Sequence, residues 1–273
     1  MTTKDIKLGC QTFTWEMLGK GFTGGPDDLL SAISKGGYSG IEITDKMIGH
    51  YGDDPAGFAS ALENHGLTLV AFACAAPSGY TEAAEIENDV ARTRRWIDFA
   101  AQFPGAVVSM GSATVMSPGA RADKYKVAAE VYNKAGAAAA SAGVTLAVHP
   151  SSHRDTLLFD RADYDAIFAL LDPTLVGWVP DTGHILRSRM DILDTLATYR
   201  DRIRYLHLKD VDANGDWAML GEGVCDTKAV VDAVRAGSHF NGWLIVEEES
   251  ETAGRDPAAA VKTNRDTMRR YGF

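Results

Sequence analysis

The stretch LVGWVPDTGHILRSRMDILDTLATYRDRIRYLHLKD, residues 175–210, decides the fold. It opens on the apolar run LVGWV, turns polar in PDTGH, passes through the helical pattern ILDTLATYRD and returns to the apolar run IRYLHL. Both apolar runs are nearly continuous, as strands buried on both faces must be. Strand, helix, strand in that order describes one unit of a parallel α/β sheet.

The same alternation extends in both directions. Toward the N-terminus the strand candidates are IKLGCQTF near 6–13, GIEI at 40–43, LTLVAF at 67–72, AVVSM at 106–110 and VTLAV at 144–148. Toward the C-terminus, WLIV at 243–246 supplies the eighth. Helical patterns lie between them. PDDLLSAISKGG has an acidic first turn and a glycine stop, which suit the helix dipole and a left-handed cap. KYKVAAEVYNKAGAAAASAG is rich in alanine, the best helix former. Eight such units without a low-complexity linker predict one α/β domain spanning 1–273, a single (β/α)8 TIM barrel. An open doubly wound sheet is the alternative, but no GxGxxG follows the first strand.

Composition narrows the function. Apolar residues make up 45% of the 273, enough for a large core. The formal net charge of −10 argues against a nucleic-acid partner, which would favour clustered Lys and Arg. No apolar run approaches a membrane span, and no apolar segment follows MTTKDIK, so the expected location is the cytoplasm with no membrane contact. Cys10, Cys74 and Cys225 are far apart and form no CxxC, as reduced thiols there would be.

In a (β/α)8 barrel, residues at the C-terminal ends of the strands face the active site. Strand two ends at Glu42, strand five runs into His149, and strand six meets Asp181 and His184. Strand seven carries His207, Lys209 and Asp210, and strand eight ends in EEE at 247–249. Asp, His and Glu suit a hard or borderline divalent cation with positions left open for substrate. Asp181, His207 and Glu247 would form its core. Each also has a plainer reading: Asp181 as a helix cap, His207 as a satisfied core histidine, and Glu247 as the start of a solvated acidic loop. The EEESE segment is read as that loop, a subunit contact in a homo-oligomer, or both.

WVPDTGHI, YLHLKD, LGEG and GWLIVEEE resemble the signatures of the xylose isomerase-like barrels, the sugar phosphate isomerases/epimerases and their dehydratase relatives. The resemblance covers nearly the whole chain. It implies a divalent metal, Mn²⁺ favoured over Co²⁺, Mg²⁺ or Zn²⁺, on Asp181, His207 and Glu247. It also implies a substrate-contacting His184 and a functional Lys209. Strand five departs from the pattern. Epimerases and hydroxypyruvate isomerases read roughly L-x-x-E-P, which sets His149 at the glutamate. Dehydroshikimate dehydratases read closer to L-E-x-H-P, which sets Ala147 at the glutamate and His149 at a catalytic histidine, whereas inosose dehydratases resemble LAxHPH with a ligand glutamate further on, where Phe159 or Asp160 stands here.

His149 therefore has two readings. Residues 147 and 149 share one side of a strand, so a longer side chain at 149 can occupy a missing ligand position. Alternatively, an imidazole with an ordinary pKa of ~6.5 suits proton abstraction beside a carbonyl. The expected activity is that of a metal-dependent lyase or isomerase. It takes a proton α to the carbonyl of a small keto-sugar, inosose or related polyol through a metal-stabilised enediolate. His149, Lys209 and Glu247 are its catalytic candidates. Loss of water is slightly preferred over isomerisation or epimerisation. A non-catalytic sugar-binding barrel and an abasic-site endonuclease are the readings of other classes. Glu42, His184, Glu222, His153 and its neighbours Arg154 and Asp155 are substrate-binding candidates, with Trp15 or Phe13 to stack on a sugar ring. No phosphate cradle is evident, so the substrate is expected to be unphosphorylated.

Overall fold

The computed structural model describes residues 5–153 and 155–273. Parallel strands β1 (Lys7–Gln11), β2 (Gly40–Thr44), β3 (Thr68–Cys74), β4 (Val107–Met110) and β5 (Thr145–Val148) pair in chain order. They continue through β6 (Val176–Trp178). On the other side, β1 pairs with β10 (Trp243–Val246), and β10 with β7 (Leu206–Leu208). The ring closes between β6 and β7. There the Arg204 N–H donates to the Trp178 carbonyl at 3.0 Å and the His207 N–H to that of Pro180 at 2.9 Å. The eight-stranded sheet is the expected (β/α)8 barrel, and β8 (Asp210–Val211) with β9 (Trp217–Ala218) adds an antiparallel hairpin at its rim.

The helices cover the sheet as the sequence pattern requires. The helix Pro26–Gly36 buries Leu29, Leu30 and Ile33 and stops at Gly37, whose φ of 90° is the left-handed cap that favours glycine. No described helix is long and apolar enough to cross a membrane. Inside the barrel, Val70, Ala71, Val107, Ala147, Tyr205 and Ile245 form a buried apolar cluster. Three of these stand two residues before His149, His207 and Glu247. Because strand side chains alternate faces, those titratable groups form the next layer toward the mouth.

The first strand is shorter than expected. It ends at Gln11, and Phe13–Glu16 winds into one helical turn. On β2 the register against β3 slips between Ile41 and Glu42, a bulge of the kind that re-aims a side chain beside a site.

Candidate active site

Four strand-end residues converge. One ligand atom from each of His149, Asp181, His207 and Glu247 lies within 4.8 Å of the other three. His149 Nε2 is 3.1 Å from His207 Nδ1 and 3.5 Å from Asp181 Oδ2. Glu247 Oε2 is 2.9 Å from His207 Nδ1.

Asp181 divides its two oxygens between structure and site. Oδ1 accepts the His184 N–H at 2.9 Å and caps the helix Thr182–Arg187. Oδ2 is buried without a hydrogen-bond partner, yet His207 Nδ1 and Lys209 Nζ each lie 3.7 Å from it. A buried, partnerless carboxylate oxygen is costly unless something cationic sits against it. Burial alone would raise this carboxyl, but the Lys209 ammonium holds it well below the usual range. The donor set of two imidazoles and two carboxylates therefore fits a divalent cation.

His207 is oriented from behind. Its Nε2 lies 2.7 Å from Glu42 Oε2, while Glu42 Oε1 accepts the Gln11 amide at 3.0 Å. With Nε2–H committed to a carboxylate, Nδ1 is the nitrogen offered to the cluster, a carboxylate–histidine arrangement common behind metal ligands. Burial would lower this imidazole, but Glu42 and Glu247 push it up to about 10 in the cation-free protein. Glu42, expected to meet substrate hydroxyls, thus has both oxygens engaged within the protein.

Glu247 and Glu248 are buried and Glu249 is half-buried, which corrects the expectation that these three residues form a solvated loop. Alternation along the extended segment sends Glu247 and Glu249 one way and Glu248 the other. Glu248 accepts from Ser250 N at 2.7 Å and from the Asn264 amide at 2.6 Å. Lys209 Nζ lies 2.8 Å from Glu247 Oε1 and also bonds Glu249. Both partners, together with Asp181, keep the ammonium charged against its burial. Burial raises the Glu249 carboxyl, and of the two carboxylates its side chain is the more exposed, 18% against 5%.

The hairpin closes over this network. Trp217 lies with its ring 4.4 Å from Lys209 Nζ and 5.3 Å from the His184 ring. A methyl on Gly183 would stand 2.5 Å from Trp217, so the glycine of DTGH permits the approach. His184 Nδ1 accepts from Ser152 N at 3.1 Å and pairs with Ser152 Oγ at 2.9 Å. Burial holds the imidazole well below its ordinary pKa, so it is neutral with its proton on Nε2.

A cavity of about 280 Å³ opens above the cluster, near the lower end of ligand pockets. His149, His207, Glu247 and Glu249 line it together with Gln11, Phe13, Glu42, His153 and His184. Three substrate-binding candidates stand elsewhere, one of them the exposed Asp155. Trp15 is packed in the core because the turn Phe13–Glu16 points Phe13 to the cavity instead. Glu222 is exposed on the LGEG turn, whose backbone faces inward: Gly221 N and Gly223 N both donate to Asp210 Oδ2. Arg154 lies outside the described residues.

The sequence profile described as the xylose isomerase-like TIM barrel matches residues 30–271. The chain belongs to this family. An inosose dehydratase of Lacticaseibacillus casei is 26% identical over 284 residues, covering 92% of each chain. Among solved structures, IolI protein with a bound zinc atom aligns at TM-score 0.77 and 18% identity over 96% of each chain. The 3-keto-D-glucoside 4-epimerase YcjR of E. coli aligns at TM-score 0.76 and 18% identity, over 97% of this chain and 100% of that one. These relatives support an enzyme acting on sugars.

Ala147 sits in the apolar layer of the barrel, and His149, two residues on, extends its Nε2 to the cluster. Sequence reasoning placed Glu249 at the rim only as part of EEE, and it passed over Gln11, Ser152 and Trp217. An Asn-Gly turn at 214–215 was the available signal for the hairpin that carries Trp217.

Proposed function

We propose that this chain is a divalent-metal-dependent lyase of the cytoplasm that removes water from a small keto-sugar, inosose or related polyol. The observation that carries the reading is the convergence of His149, Asp181, His207 and Glu247 beneath a cavity that His149, His207 and Glu247 line, with Asp181 Oδ2 buried and without a hydrogen-bond partner. A divalent cation held there supplies Lewis-acid polarisation of the substrate carbonyl and stabilises the negative charge that develops on it. Mn²⁺ is the favoured ion.

His149 serves this reading as the fourth ligand, standing in for the strand-five glutamate. Glu249 faces the cavity and burial raises its carboxyl above the ordinary carboxylate value, the direction that strengthens a general base. It takes the proton from the carbon α to the carbonyl. The same proton then goes to the β-hydroxyl as the C–O bond breaks, so water leaves and Glu249 returns to its starting state. Lys209 fixes both strand-eight carboxylates. His184 donates from Nε2 to a substrate hydroxyl. Dehydration is preferred over epimerisation because the inosose dehydratase relatives span nearly the whole chain, and because His149, at the position that the epimerase pattern gives to glutamate, leaves no strand-five carboxylate to pair with the strand-eight one.

The test is elemental analysis of protein purified without added metal, followed by a screen of keto-sugars and inososes for loss of water. About one divalent ion per chain is expected, with activity lost to a chelator and restored by Mn²⁺. A chain that neither carries nor takes up Mn²⁺ excludes the reading.

A further inference from the structure

The proposed chemistry leaves unused the cavity wall built after β1 and β2, across the barrel from β5 and β6. There Phe13, Glu16, Thr44, Asp45 and Lys46 line the same cavity that reaches His149, His207 and Glu247. Glu16 is held rigidly: Oε2 accepts from Thr44 Oγ1 at 2.6 Å and Oε1 from Lys46 Nζ at 2.9 Å. Each of these oxygens keeps a further lone pair. Asp45 is half-buried beside it, and Phe13 presents a half-buried apolar ring. Among the described lining residues Lys46 is the one lysine or arginine, and its ammonium is already committed to Glu16. Glu16, Glu42, Asp45, Glu247 and Glu249 line the cavity against it.

We infer that this wall is a specificity subsite for the distal hydroxyls of an uncharged polyol. Asp45 and Glu16 accept adjacent hydroxyl protons while Phe13 packs on the C–H face of the same molecule. The inference rests on the proposed function for where the reacting end lies. A phosphate or carboxylate on the distal end would meet like charge with no free cation, so the subsite rejects charged analogues as it selects neutral ones.

Isothermal titration calorimetry on the full chain tests this, with metal content recorded for each sample. The probes are myo-inositol and D-fructose, each beside its monophosphate. The wild type is expected to bind a neutral probe at least about tenfold more tightly than its phosphate. Asp45→Asn and Glu16→Gln should each weaken the neutral probe by about tenfold or more, the loss of a hydrogen bond to a charged group, with metal content unchanged. Asp45→Lys should shift preference toward the phosphate. Should losing the Glu16–Lys46 pair destabilise the chain, Asp45→Asn alone decides. Variants that bind the neutral probe as well as the wild type, a wild type that prefers the phosphate, or one that binds neither overturn the subsite. Polyol binding as stated without turnover of any polyol would sink the proposed reaction and leave the subsite standing. Turnover of a polyol phosphate would do the reverse.

Discussion

Glu42 Oε2 lies 2.7 Å from His207 Nε2, with both side chains sealed from solvent, and this contact decides which imidazole nitrogen meets the cluster. The carboxylate accepts Nε2–H and leaves Nδ1 without a proton when a cation is bound. In Glu42→Gln an amide can donate to Nε2 instead and drive the proton onto Nδ1. Metal affinity should fall by about 10- to 100-fold, with the fold retained. Direct titration of Mn²⁺ into metal-free protein checks it, and unchanged affinity would show that Glu42 does not set the tautomer.

The same pair gives a pH dependence. Burial alone would lower the His207 pKa, but Glu42 and Glu247 push it up to about 10 without a cation. A folded pKa above the unfolded value of ~6.5 means the bound proton stabilises the metal-free protein. That contribution is full below ~6.5 and is lost as pH rises through about 10. Metal must displace this proton, so affinity should rise between those limits by up to about tenfold per pH unit. Calorimetry in buffers of different ionisation enthalpy should detect the released proton. Affinity independent of pH across this window would exclude His207 as a ligand.

Asp181 separates capping from ligation within one side chain. Asp181→Asn keeps an oxygen for the His184 N–H but removes the charge beside the cluster. Asp181→Ala removes both. The asparagine variant should lose metal while unfolding close to the metal-free wild type. The alanine variant should lose about 1 kcal/mol more, the usual worth of an N-cap. Thermal unfolding with metal analysis compares them, and tight metal binding by either variant would refute the coordination.

The barrel was legible because its strands are apolar runs buried on both faces and its helices carry their own stops, as Gly37 does. The cluster was legible because strand ends in this architecture face one mouth. What escaped depended on distant partners or on local twist. The acidic run at 247–249 suggested solvent, yet Glu248 finds Asn264 while Glu247 and Glu249 find Lys209. Charge in a sequence does not reveal such partners. Phe13 and Trp15 were equal candidates for the mouth. One helical turn after β1 separates their directions and buries Trp15. The β8–β9 hairpin has only two residues per strand, too few to show alternation.

Asp210 links two motifs that look independent in sequence. Its carboxylate accepts backbone N–H groups from Val211, Gly221, Gly223 and Cys225, tying YLHLKD to the LGEG turn. Asp210→Ala would remove the acceptor of all four N–H groups and should destabilise the chain by more than about 3 kcal/mol. Asp210→Asn, which keeps one oxygen, should cost less. Urea denaturation measures both, and a loss below about 1 kcal/mol for the alanine variant would mean that water takes over the donors.

His149 is the residue on which strand five turns. Its Nε2 lies 3.1 Å from His207 Nδ1 and 3.5 Å from Asp181 Oδ2, where a ligand belongs. His149→Ala should therefore weaken Mn²⁺ binding by at least about tenfold, because one of four donors is gone. His149→Glu returns a carboxylate to the same backbone position and should recover most of that affinity. A base with no part in ligation would behave otherwise. Its alanine variant would keep the metal and lose turnover, and the glutamate variant would have no affinity to restore. Metal content and Mn²⁺ affinity of the two variants, measured beside activity, choose between the roles: metal retained in His149→Ala with turnover lost would return the histidine to proton transfer and leave the cation on Asp181, His207 and Glu247.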